Sequence, residues 1–324
     1  MVDCDIAYYE YYNCEMNNVI EFTAASGQTE ECVYYYYTPK GVKTDGDTPV
    51  IVWVTHGGGV AEDERALALS WAASQDTEAI FVVPHTDVPE AVCASIEDAK
   101  AKLKGKGDFS SISGQGTSSG GRAIIRAALK STDPKENYSF RFGNIFAYDP
   151  ASETGLANIT GNRRGLRRLA EQGMTLILQT DDDPHGYWGG SGLHCNEYAR
   201  VYSELGGIAV LAETGGTDHE GRFILPISHN AMNWAIGRGT MEEYEDFPTR
   251  WFFYEKGEKF ASTLREVTEI LRSGEYPETR EAYGDEAEAP AAEEPAGREK
   301  RPVLPEASTE HKGVKINVYY IYSA

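Results

Sequence analysis

Two kinds of hydrophobic run alternate along this chain. Residues 49–55 (PVIVWVT) and 79–84 (AIFVVP) are unbroken apolar stretches, the pattern of strands covered on both faces. Each precedes a stretch with helical periodicity, over 62–74 and 89–104. The alternation then repeats, with a strand over 110–113, a helix over 120–130, a strand over 144–148 and a helix over 163–172. Further strands over 174–179 and 208–212 surround a helix over 195–205, and a closing helix covers 223–236. Strands that alternate with helices of roughly ten to fifteen residues predict an α/β domain with a mainly parallel, doubly wound sheet and helices on both faces.

The two ends of the chain have a different texture. Eight of the 20 tyrosines fall before residue 38 and three more, Tyr319, Tyr320 and Tyr322, lie at the end. Residues 33–38 and 315–322 are rich in aromatic and β-branched side chains and read as strands. Residues 249–272 read as a helix. Over 275–297 eight acidic residues face a single basic one, Arg280, and five prolines punctuate this segment and its continuation. So little apolar surface cannot offset the entropy of ordering, so the segment reads as a linker. The chain thus divides into a domain over 1–245 with Tyr-rich N-terminal strands, a C-terminal helix over 246–274, an acidic Pro-rich linker over 275–313 and a terminal strand over 314–324. The terminal strand, at 314–322, is expected to pair with the N-terminal strands of its own subunit or of a second copy.

Composition narrows the partners. The chain has 324 residues, and 51 acidic against 30 basic side chains give a formal charge of −21. Nucleic acids and anionic lipid surfaces need a positive footprint, which this balance does not provide. Apolar runs such as 80–84 are far shorter than the roughly 20 residues of a membrane-spanning helix. Five cysteines without CxxC spacing give no metal or redox motif. Three of them, Cys4, Cys14 and Cys32, lie close enough together for one disulfide in an exported protein, so the compartment stays open.

Candidate chemistry begins at Gly116-Thr117-Ser118-Ser119-Gly120-Gly121, which fits G-x-S-x-G between a short strand and a helix. In such an elbow the serine sits on a strained turn, and small residues two positions either side let the backbone pass close by. Ser118 then lies at a helix N-terminus, where free N–H groups favour developing negative charge. His56-Gly57-Gly58-Gly59 follows the first strongly apolar strand, and its glycines can turn N–H groups into a cleft. Gly58, Gly59 and the N–H of Ser119 would form an oxyanion hole, in which each donor supplies about 3 kcal/mol. No phosphate-loop or dinucleotide fingerprint is present.

An acid and a base are expected later in the chain, past the ends of parallel strands. Thr180-Asp181-Asp182-Asp183-Pro184 follows one strand, and Gly215-Gly216-Thr217-Asp218-His219 follows the next. The order Ser118, Asp183, His219 is Ser, Asp, His, with His219 as base and Asp183 fixing its tautomer. Asp182, and Asp149 in Tyr148-Asp149-Pro150, are alternatives for the acid, and His185 and His229 are weaker alternatives for the base. Tyr187 and Trp188, flanked by glycines, suit a substrate-contacting loop, and His56 and His85 could line the cleft.

Taken together, HGGG, GTSSGG, DDDP and GGTDHEGR resemble the α/β-hydrolase serine esterases over about residues 30–240. The resemblance is greatest to the polyhydroxybutyrate-depolymerase and feruloyl-esterase group. It is weaker to the hormone-sensitive-lipase group, whose GDSAGG elbow and DPLxD-like acid segment are absent here. It implies hydrolysis through an acyl-enzyme without metal or organic cofactor, on small or medium acyl esters, with feruloyl or acetyl esters of plant polysaccharide as the expected class. A serine peptidase or acyltransferase on the same scaffold is the competing expectation. A non-catalytic binding role fits poorly with a chain that carries the serine, acid, base and glycine loop together.

Overall fold

The computed structural model describes residues 12–40, 43–54, 79–148, 150, 161–181, 191–214, 249–278, 308–311 and 314–317. Among these, ten strands form one sheet. Its centre is the parallel set β3 (Val50–Val54), β4 (Ile80–Pro84), β5 (Ile112–Thr117), β6 (Phe142–Tyr148), β7 (Thr175–Asp181) and β8 (Ile208–Thr214). With β1 (Tyr12–Thr23), β2 (Thr29–Pro39), β9 (Thr249–Glu255) and β10 (Glu258–Ser262), the order is β1-β2-β4-β3-β5-β6-β7-β8-β9-β10. The outer strands β1, β2, β9 and β10 are all joined antiparallel.

Burial explains why the central strands read as continuous apolar runs. Every residue of β3 and of β4 is buried. On one face lie α1 (Pro89–Leu103), α2 (Ser119–Ser131), α3 (Arg163–Glu171) and α4 (Ser191–Glu204), with Val92, Ile96, Ile124, Leu166 and Ala199 in a shared core. On the other, Val267 and Ile270 of α5 (Leu264–Ser273) pack on Phe146, Ile177, Val210 and Phe253. Fully burying one such side chain contributes about 2 kcal/mol. The doubly wound sheet with helices on both faces is therefore the observed architecture. The helices expected over 62–74 and 223–236 lie outside the described residues.

Two expectations are overturned. Residues 249–272 are not one helix but the β9–β10 hairpin followed by α5. Trp251-Phe252-Phe253-Tyr254 is an aromatic run suited to a pleated surface, and Lys256 and Gly257 both have positive φ, 52° and 88°. That pair of left-handed residues makes a two-residue hairpin turn, with Glu255 opposite Glu258. The C-terminal helix is the shorter α5, opened by a capping box between Thr263 and Glu266.

Within one chain, the described part of the terminal strand also pairs differently; pairing with a second copy stands as a separate expectation. β12 (Val314–Asn317) joins β11 (Ser308–His311) in a separate two-stranded antiparallel sheet, not the N-terminal strands. The register His311 opposite Val314 leaves only Lys312 and Gly313 to connect them, so a nearby partner wins over a distant one on loop-closure entropy. β11 thus lies inside the segment read as a linker. Cys32 is a buried free thiol, so the N-terminal disulfide does not run through it, and burial pushes its pKa up.

Candidate active site

β5 is longer than the pattern suggested and runs to Thr117 instead of ending near residue 113. The glycines in Ile-Ser-Gly-Gln-Gly-Thr hide it from a hydrophobic reading. Close approach requires the last of them. A Cβ on Gly116 would lie 2.5 Å from the carbonyl oxygen of Gly120 and 2.8 Å from the nitrogen of Gly121. Strand end and helix start therefore touch backbone to backbone across Ser118.

Ser118 is held in this turn at φ 51° and ψ −119° and is 6% exposed. Left-handed backbone at a non-glycine residue costs of order 1–3 kcal/mol and persists only where the surroundings enforce it. Here they do. The Ser118 N–H donates to the Tyr148 carbonyl at 2.9 Å, and its own carbonyl accepts from Arg122 at 3.1 Å, the first bond of α2. A Cβ on Gly121 would reach the Gly116 oxygen at 3.0 Å and Pro150 at 3.3 Å, so the far side is closed as well. Ser119 occupies the first position of α2, where N–H groups have no intrahelical acceptor.

The pattern reading missed the support beneath this elbow. Tyr148 is fully buried, stacks on Phe146 at 4.4 Å, and its hydroxyl donates to Gln115 Oε1 at 3.2 Å. Gln115 is itself fully buried and lies 3.5 Å from the Ser113 hydroxyl. Trp53 tilts against Tyr148 at 6.4 Å. The signal available in the sequence was a glutamine inside an otherwise small and apolar strand.

Sheet order fixes where the remaining candidates enter. β3 lies beside β5, with Val54 opposite Gly116, and the His56–Gly59 segment follows it in the sequence. β7 ends at Asp181, one residue before Asp182 and two before Asp183, and β8 ends at Thr214, five before His219. Asp181 and Thr214 are register partners, so both segments start at the end of the sheet that carries Ser118. Of the predicted site residues, Ser118 and Ser119 are described. His56, Gly58, Gly59, Asp149, Asp182, Asp183, His185, Tyr187, Trp188 and His219 lie outside the described residues. His85 lies just past β4, and its Nε2 is buried without a hydrogen-bond partner among the described residues.

Next to the β8 end stands a second polar construction. Glu213, 8% exposed, receives Arg250 Nη2 at 2.9 Å and Lys259 Nζ at 2.7 Å. Lys259 also donates to Asn196 Oδ1 of α4 at 2.7 Å and sits 4.0 Å above the Phe252 ring. A buried carboxylate is tolerable only with such full compensation.

No protein-family model matches this sequence, and no curated protein matches it. Among solved structures, the esterase Est22 is similar at a TM-score of 0.48 and 16% identity, over 72% of this chain and 84% of that one. Carboxyl esterase 2 from the mycorrhizal fungus Tuber melanosporum is similar at 0.44 and 14%, over 66% and 80%. A fungal esterase from Rhizomucor miehei is similar at 0.47 and 13%, over 69% and 83%. Likeness at this level leaves the chemistry to be read from the site itself. What the structure itself shows is a mainly parallel sheet flanked by helices, with a strained serine in the turn between β5 and α2.

Proposed function

We propose that this chain is a serine carboxylic ester hydrolase that works through an acyl-enzyme. The observation that carries the reading is Ser118, held at φ 51° between β5 and α2 with no room for a Cβ at Gly116. Such a turn projects a side-chain oxygen from the backbone at a helix N-terminus, which is what a nucleophile needs. In this reading His219 takes the Ser118 proton as the hydroxyl attacks the ester carbonyl, then returns it to the leaving alcohol. Asp183 orients the imidazole, and the N–H groups of Ser119, Gly58 and Gly59 receive the oxyanion. Water then repeats the sequence on the acyl-enzyme and releases the acid. Tyr187 and Trp188 contact the substrate. Small or medium acyl esters, feruloyl or acetyl esters of plant polysaccharide among them, are the proposed substrates.

The test is hydrolysis of p-nitrophenyl acetate and butyrate by the native chain and by Ser118→Ala. The variant is expected to lose activity by about 10⁶-fold. Equal activity of the two proteins, or inertness of both, overturns the assignment. Asp183→Asn is expected to lose far more than Asp182→Asn, because only the true partner's loss leaves the imidazole in the wrong tautomer. Comparing kcat/KM for methyl ferulate, acetylated xylan and an aminoacyl anilide separates the substrate classes, and a preference for the anilide would make the protein a peptidase.

A further inference from the structure

The acidic balance of this chain is reversed around one cavity among the described residues. A cavity of about 630 Å³ opens between the start of α1, the second half of α2, the turn at 133–136 and the first turn of α3. Five basic side chains line it, Arg126, Lys130, Lys135, Arg164 and Arg168, against three acidic ones, Glu90, Asp133 and Glu136.

The pairing among them is uneven. Lys130 is neutralised twice, by Glu136 at 2.6 Å and Glu90 at 3.4 Å. Asp133 accepts the Lys135 backbone N–H at 3.1 Å, and Arg168 gives one N–H to the Thr132 carbonyl at 3.0 Å. Arg126 is half-buried, yet among the described residues no acid lies within salt-bridge distance of it. Burial and then the like charge of Arg122 hold its pKa below the ordinary value, with Glu90 opposing. Arg164 and Lys135 are exposed and likewise have no side-chain partner among the described residues.

The first turn of α3 faces the same space. Among the described residues Asn162, its N-cap, accepts from the Gly165 N–H at 3.0 Å, and the N–H groups of Arg163 and Arg164 have no intrahelical acceptor. An uncompensated guanidinium, further cations and a helix N-terminus around one cavity are complementary to a compact anion, because forked N–H donors match paired oxygens. The volume is that of a small-molecule site. Arg126 lies eight residues past Ser118 on α2, about 12 Å of helix rise.

We propose that this cavity is a second, non-catalytic site that binds a small anion carrying two or more negative charges on phosphate or carboxylate groups. It is independent of the ester-hydrolase reading. The experiment is isothermal titration of the full chain with pyrophosphate and, separately, with citrate, at constant ionic strength balanced with sodium chloride. Binding of at least one probe at submillimolar Kd is expected, and the stronger probe identifies the phosphate or carboxylate source. Arg126→Gln and Arg164→Gln should each weaken it about tenfold, whereas Arg265→Gln, an 87% exposed side chain on α5, should not change it. Arg164 is exposed, so its variant keeps the test valid if Arg126→Gln fails to fold. No binding of either probe, or unchanged binding in both cavity variants, overturns the proposal. So does a tenfold gain in affinity when Glu286, Glu288, Glu293 and Glu294 are all changed to Gln, since the chain's own acidic segment would then be the occupant.

Discussion

The two halves of α2 solve opposite problems. At its start, Ser118 is enclosed so tightly that a single methyl group on Gly116 has nowhere to go. Eight residues on, Arg126 borders a cavity of about 630 Å³, with no acid within salt-bridge distance among the described residues. One end is specified by contact between backbones, the other by charge left uncompensated. Strain can be maintained only where the surroundings cannot relax, whereas charge can be left unmatched only where water or a ligand can reach it.

Changes at each kind of site should separate these two modes. The largest effect is expected where charge has been built into a closed environment. Glu213→Ala leaves Lys259, whose side chain is 17% exposed, without its carboxylate and should cost about 3–5 kcal/mol in urea unfolding. A loss below about 1 kcal/mol would show that this cluster behaves like surface charge. Next, Gly116→Ala should cost about 3 kcal/mol and reduce ester hydrolysis along with it, because the clashing atoms are backbone. A variant that keeps both would mean that the elbow can relax.

The smallest effect belongs to the open end. Burial works against the charge of Lys130, but hydrogen bonds and attraction from Glu136 and Glu90 outweigh it and raise its pKa above 10.5. A raised pKa stabilises the fold below the unfolded value, and the gain is lost as pH rises through the folded one. Lys130→Met should therefore cost less than about 1 kcal/mol at pH 7, and its difference from the native chain should shrink above pH 10.5.

What the sequence disclosed follows the range of the interactions. β3 and β4 are legible because each is buried along its whole length, and the tight turn at Ser118 because its glycines lie within a few residues of it. β5 was read too short, since Gly114 and Gly116 replace apolar side chains there. The β9–β10 hairpin resembles a helix in sequence because the aromatic run 251–254 also fits a buried helical face, and its turn is marked by nothing more than the Lys256-Gly257 pair. The Tyr148 and Gln115 support joins residues 33 positions apart, and the Arg126 cavity draws on four separate elements. Neither can be seen in any local window.

The antiparallel strands at both flanks bear on how copies of this chain can meet. Every parallel strand is interior, and the described edges of the sheet are β1 and β10. β1 carries a register shift between Glu15 and Asn18, and β10 is only five residues long and begins with Glu258 and Lys259. Irregular, short and charged edges resist the addition of a further strand. The described edges of the ten-stranded sheet therefore disfavour the edge-to-edge addition of a further strand.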